Sequence, residues 1–358
     1  MASKVYPSVA APKNRGVAKG GGGCEMLSAM IRGLRSSVRL AMLALAACAS
    51  LTAGAAAQAT GDGRLYFLDL AEGRVLAADP AGDGLSVLIR GRRTRPDGIA
   101  IDPIAGYLYW SNMGAVAADD GSIERMRLDG SGLTTIVPPG GTFTAKQLTF
   151  EPSEGKLYWS DREGMRVMRA NLDGSGIETI VETGRGETAR RDPRNWCVGI
   201  AVDGGRGHVY WTQKGGSNAN QGSIRRAPIA LPRGQQAGNR TDIEVLFNGL
   251  PEPIDLALDR DARMMYWTDR GDPPRGNSVS RAPMDPPPGV DPRSRTDQQI
   301  VMRGLQEGIG IALDIAGRRL FVTDLGGNVY RAGLDGADRQ TILRGQGTLS
   351  GIAYVGPR

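Results

Sequence analysis

Four aspartates, Asp69, Asp161, Asp269 and Asp324, close near-identical short segments of this 358-residue chain. Carboxylates recurring at one register position could converge into a ring, and such a ring would hold a hard cation or do acid–base work. A second set of residues, Arg95, Asp97, Lys146, Trp196, Glu252, Asp255 and Glu307, stands close before a different recurring segment. Beyond these the inventory is narrow. His208 is the single histidine, which rules out paired-imidazole zinc sites and two-histidine catalysis. No Ser-His-Asp constellation, phosphate loop or Cys/His cluster stands in the chain. Cys24 and Cys48 precede the repeated part, so Cys197 has no partner there for an internal disulfide.

Repeated strands must position both sets. The aromatic segment occurs six times, as LYFLD at 65–69, LYWSN at 108–112, LYWSD at 157–161, VYWTQ at 209–213, MYWTD at 265–269 and LFVTD at 320–324. The second segment precedes it, as GIAID at 98–102, QLTFE at 147–151, GIAVD at 199–203, DLALD at 255–259 and GIALD at 310–314, with a last copy, GIAY, at 351–354. A third strand ending in Leu-Asp-Gly and a fourth such as TTIV, ETIV or QTIL complete each unit. Four short strands per unit and six units read as an all-β, six-bladed β-propeller of four-stranded antiparallel blades. The last copy lacks a following aromatic strand and the first aromatic strand lacks a predecessor. Pairing of 351–355 with 65–69 would therefore close the ring and remove an open edge.

These Tyr-Trp-Thr/Ser-Asp strands, Gly-Ile-Ala-x-Asp strands and Leu-Asp-Gly turns resemble the class B (YWTD) repeats of low-density-lipoprotein receptors, over about 295 of the 358 residues. The resemblance implies a scaffold role for the motif aspartates. Burial of both faces of the second strand implies the same, with Tyr158 and Trp159 pointing into different layers between blades. Asp102, Asp203, Asp259 and Asp314 are expected to shape the turns after the first strand.

Function then falls to the loops. Long insertions at 112–121, 213–222, 270–277, 90–97, 138–146 and 182–198 emerge on one face of the expected ring, whereas 228–242 and 283–297 lie on the other. On the first face Arg95, Asp97, Lys146, Trp196, Glu252, Asp255 and Glu307 are expected to rim the channel and bind a ligand. Trp196 would either anchor that ligand or fold onto its own loop. The resemblance implies a binding module for a protein, peptide or glycan, with no catalytic residue, no resident metal and no cofactor. The alternative is a metal-dependent, lactonase-like hydrolase with a divalent ion such as calcium in the channel, held among Asp97, Glu252, Asp255 and Glu307.

Location and partners are bounded by the first 59 residues. Arg32, Arg35 and Arg39 precede an apolar run, 40–51, and a small-residue stretch ending at Ala59, the order of a secretory signal. The run is too short to span a membrane. Residues 1–59 read as a leader, with later starts available at Met26 or Met30, and 60–358 as the propeller. Export to a periplasmic or extracellular location as a monomer follows. An envelope lipoprotein anchored at Cys48, after Leu45-Ala46-Ala47, is the alternative. Of 44 basic and 38 acidic residues, seven and one fall in the leader, which leaves 37 of each sign. A neutral body excludes nucleic acid as the expected partner.

Overall fold

The computed structural model describes residues 63–357 except Arg93, so the leader and Cys48 lie outside the described residues. Six four-stranded antiparallel sheets surround one axis. From the axis outward, blade 1 consists of Leu349–Val355, Arg64–Asp69, Arg74–Ala78 and Ser86–Ile89. Blade 2 consists of Pro96–Asp102, Tyr107–Asn112, Gly121–Arg127 and Thr134–Thr142, and blade 3 of Ala145–Glu151, Lys156–Asp161, Arg166–Asn171 and Glu178–Glu182. Blade 4 is Cys197–Asp203, His208–Gln213, Gly222–Pro228 and Glu244–Leu250. Blade 5 is Pro253–Asp259, Met264–Asp269, Ser278–Pro283 and Gln299–Arg303, and blade 6 is Gly308–Asp314, Arg319–Asp324, Val329–Gly333 and Gln340–Leu343. The chain's end does complete the sheet begun at its start: Tyr66 pairs with Ala353 and Arg64 with Val355.

The second strand of every blade is buried over its last five residues. Alternate side chains enter opposite interfaces, as strand geometry requires. Tyr109 of blade 2 packs with Trp159 of blade 3, Tyr158 with Trp211 of blade 4, and Tyr210 with Trp267 of blade 5. Tyr266 meets Val322, Phe321 meets Phe67, and Tyr66 meets Trp110, which completes six apolar layers. Each such layer buries two large side chains, worth roughly 1.5–3 kcal/mol apiece.

Hydroxyls tie the inner strands together. Ser111 accepts from Gly98 N at 2.8 Å and donates to Lys146 O at 2.5 Å in the next blade. Thr212 accepts from Gly199 N at 2.7 Å and donates to Ile254 O at 2.7 Å, and Thr268 links Asp255 N to Ile309 O. Blade 1 has Leu68 at this register, and Ser350 bridges instead to Pro96 O at 2.9 Å.

Two 15-residue loops, 228–242 and 283–297, share one conformation on the short-turn face, the end of the ring where first strands turn into second. Gly234 and Gly289 have φ of 76° and 73°, and Ala237 O and Pro292 O accept from Glu182 N and Asn248 N at 3.1 Å. In each loop an Arg-Thr-Asp triplet buries its arginine. Arg240 donates to Ile180 O at 2.7 Å, Pro228 O at 2.6 Å and Asp242 Oδ1 at 2.7 Å. Arg295 donates to Leu246 O at 3.2 Å, Pro283 O at 2.9 Å and Asp297 Oδ1 at 2.9 Å. These straps grip the fourth strand of the preceding blade. The opposite face carries a five-residue helix, Gly186–Arg190, where the sequence reads as loop. It is too short to show a helical period.

Candidate functional site

The motif aspartates are structural. Asp69 accepts from Thr348 N at 3.1 Å, Asp161 from Thr144 N at 2.7 Å, Asp269 from Glu252 N at 3.1 Å and Asp324 from Gln306 N at 3.0 Å. Each one fastens the segment that leads into its own blade's inner strand. Asn112 does the same through Thr94 Oγ1 at 2.8 Å, and Gln213 through Arg194 O at 2.5 Å. Apart from Gln213 Oε1, which is buried without a partner, their oxygens and amides are spent on loop backbone and neighbouring side chains, which is how buried polar groups are satisfied.

The seven site residues expected from sequence lie on the long-loop face, at two depths. Arg95, Trp196, Glu252 and Glu307 hold equivalent positions. Their carbonyls accept from Met113 N, Lys214 N, Arg270 N and Leu325 N at 3.0–3.3 Å, and Thr144 O accepts from Arg162 N in the same way. Arg95 and Glu307 sit there in left-handed conformation, φ 58° and 59°. Asp97 and Lys146 lie one layer deeper and are buried. Lys146 Nζ bonds Asp97 Oδ1 at 2.6 Å, and Gln147 Nε2 donates to Asp97 Oδ2 at 3.2 Å. Asp255 is also buried and accepts from Leu256 N at 2.9 Å and Ile311 N at 3.0 Å.

Around this end of the axis the charge is unevenly shared. The residue following each aromatic motif is Arg162, Lys214 and Arg270 in blades 3–5, but Leu325, Leu70 and Met113 in blades 6, 1 and 2. Lys214 Nζ and Arg270 Nε share Glu252 Oε1 at 2.5 and 2.7 Å, and Arg270 Nη1 lies 3.9 Å from Glu307. Arg162 pairs with Glu163 at 2.6 Å and stands 5.2 Å from the Trp196 ring centre, with Lys214 at 5.9 Å. Trp196 Nε1 donates to Arg190 O at 2.8 Å, so the indole is half-buried against its own loop while its ring carries two cations. Of the two sequence readings of Trp196, the geometry shows the fold-back onto its own loop.

Burial, with Arg162 and Arg270 nearby, brings the Lys146 ammonium down to about 8 against the pull of Asp97. Burial likewise lowers Lys214, opposed by Glu252 and helped by Arg270. Burial raises the Asp255 carboxyl to about 7, with Asp97 adding to the rise and backbone N–H bonds and Lys146 opposing it. Perturbation of this kind clusters at functional sites.

A hard cation does not fit Asp97, Glu252, Asp255 and Glu307. Glu252 is engaged by two cationic side chains, Asp97 by Lys146 and Gln147, and Asp255 by two backbone N–H groups. Among the described residues no three His, Cys, Asp or Glu side chains converge for a metal. No described helix is long and apolar enough to cross a membrane.

Sequence reasoning missed Arg162, Lys214, Arg270 and Gln147. The first three were legible as the sixth residue of the repeat, a register that alternates between cation and apolar by half-ring.

The fold and these relays define a six-bladed YWTD-type propeller whose motif residues build the ring. No protein-family model matches the chain. It is 44% identical over 306 residues to low-density lipoprotein receptor-related protein 1 of Pyricularia oryzae, covering 82% of this chain and 98% of that protein. It is 36% identical over 294 residues to 3-hydroxyacyl-CoA dehydrogenase-like protein LAM1 of Cochliobolus heterostrophus, covering 78% of this chain and 62% of that one. A segment of 86 residues is 35% identical to mouse low-density lipoprotein receptor-related protein 5 and spans 5% of it. Among solved structures, a nidogen/laminin complex contains a chain of like fold, with TM-score 0.61, 19% identity, and 81% and 97% of the two chains covered. The chain belongs to the low-density-lipoprotein receptor-related family of YWTD propellers.

Proposed function

We propose that this chain is an exported protein-interaction module that binds its partner through the long-loop face of blades 3–5. The observation that carries the reading is the half-buried Trp196 with Arg162 and Lys214 beside its ring, in the half of the face that also carries Arg270. An amphipathic ring beside cations suits an interface anchor, because such a side chain buries area at little entropic cost. Two cations sharing Glu252 favour an acidic group on the partner over a basic one. The relatives named for lipoprotein-receptor relationship support a protein partner over a peptide or glycan. Arg95 and Glu307 flank the surface, whereas Asp97, Lys146, Glu252 and Asp255 support it from below.

Affinity capture from the native extracellular and envelope fractions tests this, with wild type and the variants Trp196→Ala and Lys214→Ala as bait. The expected result is a captured protein that both variants lose by tenfold or more, with capture weakening as salt is raised. Equal capture by all three baits overturns the choice of surface. Detection of the chain only in the cytosol overturns the export.

A further inference from the structure

The central channel is a blind cavity entered from the short-turn face. Its lining runs from Gln147 and Asp255 at the deep end to Arg260 and Ile315 at the mouth and encloses about 280 Å³. Val198, Ile254 and Ile309, from three successive blades, pack into a buried apolar cluster with Leu325 and stop the far end. Every innermost strand is the edge of its sheet, so its inward N–H and C=O groups face the lumen.

Two side chains intrude where four blades have glycine. A Cβ added at Gly98, Gly199, Gly310 or Gly351 would stand 2.5, 2.2, 2.6 or 2.5 Å from a carbonyl oxygen of the next inner strand. Gln147 and Asp255 occupy that register in blades 3 and 5. Gln147 turns to Asp97, whereas Asp255 takes only backbone N–H donors and lines the cavity. Its two oxygens have lone pairs for further donors.

The mouth has its own departure from the repeat. Glu151 replaces the aspartate found at Asp102, Asp203, Asp259 and Asp314, and it accepts from Arg260 Nη2 of blade 5 at 2.7 Å, two blades away. Glu151 is 1% exposed and Arg260 is 43% exposed, so the acid is fixed and the guanidinium is the part free to swing.

We propose that this channel binds a small linear organic cation, its ammonium group held by Asp255 and its body lying between the strand edges. Charge selects the class: Lys146 is already bound by Asp97, and an anion at the deep end would face the Asp255 carboxylate. At the volume water takes per molecule, the cavity holds about nine or ten non-hydrogen atoms. The channel opens on the face opposite the proposed protein-binding surface, and Asp255 at its deep end lies beneath that surface.

Isothermal titration of the purified chain at pH 8 with butylamine, butanol and butyrate tests the assignment. Butylammonium is expected to bind, and butanol and butyrate to bind at least tenfold more weakly. Asp255→Gly, which installs the residue used by four sister blades, and Asp255→Asn, which keeps the volume, are each expected to weaken butylammonium at least tenfold while keeping a single cooperative thermal transition. If the glycine variant fails to fold, the asparagine variant decides. Absence of butylammonium binding to wild type overturns the proposal, as does equal binding of the three probes, or unchanged affinity in the variants.

Discussion

The outer rim of the ring is closed in two ways, and the contrast shows how one junction accepts opposite solutions. At four junctions a tight turn brings a glycine against the fourth strand of the preceding blade: Gly130 against Leu88, Gly174 against Ile136, Gly336 against Val301 and Gly82 against Ile342. Their φ values of 85–93° already favour glycine, and at Gly174 an added Cβ would lie 1.9 Å from Ile136 O. At the other two, a 15-residue strap stands in for the turn, and a buried arginine reaches the corresponding strand from the side. One solution works by omitting a side chain, the other by adding a long one. The strapped blades, 4 and 5, together with blade 3 that the first strap grips, are also those with cations on the opposite face.

The contrast can be broken most strongly at the clamps. Arg240→Ala and Arg295→Ala each remove a buried guanidinium from strand carbonyls and leave a partly exposed acid without its partner, and each is expected to cost about 2–4 kcal/mol in chemical denaturation. A loss below about 1 kcal/mol in both would show that the straps merely lie on the surface.

A smaller effect sharpens the same comparison. Gly174→Ala is expected to cost about 1–3 kcal/mol through strained backbone and the clash with Ile136 O. Gly234→Ala, at a strap glycine with φ 76° and nothing within 4 Å of an added Cβ, is expected to cost only about 1–2 kcal/mol. Equal costs would remove the distinction between a junction glycine and a turn glycine.

A different effect concerns charge at the axis. Asp255 and Asp269 hold protons in the folded chain up to about pH 7, because burial raises both from an ordinary 3.8. Between those values the folded state binds more protons than the unfolded one, so these two groups make stability fall as pH rises through the window. Lys146 acts at higher pH. Its folded value of about 8 lies below the ordinary 10.5, so its contribution makes stability rise from pH 8 upward. Asp255→Asn is expected to remove roughly half of the fall due to the two aspartates, read as the change in Tm between pH 4.5 and 7.5 relative to wild type. An identical pH profile would place Asp255 in water rather than in a dry channel floor.

Much of this was legible in the chain. Six aromatic strands, their Gly-Ile-Ala-x-Asp partners and the split of one blade between the two termini follow from periodicity, because blades that pack face to face need the same residue at the same register. The turn aspartates were legible for the same reason: Asp102 accepts from Ile104 N and Ala105 N, Asp259 from Ala262 N, and Asp314 from Gly317 N. Departures from the repeat were harder to weigh. Gln147 and Asp255 in a glycine register, Glu151 in an aspartate register and the paired Arg-Thr-Asp triplets are all visible as letters, yet their meaning depends on which strand lies opposite.

Repetition in the sequence by itself determined the number of blades, the order of strands and the closure of the ring, since those depend on local pattern and on where the pattern is interrupted. The tertiary structure alone decided that one end of the channel is stopped by Val198, Ile254 and Ile309 and the other is open, and that Glu151 meets Arg260 across 109 residues. Contacts across an axis join residues from different repeats, and no periodicity within one chain records which of them meet.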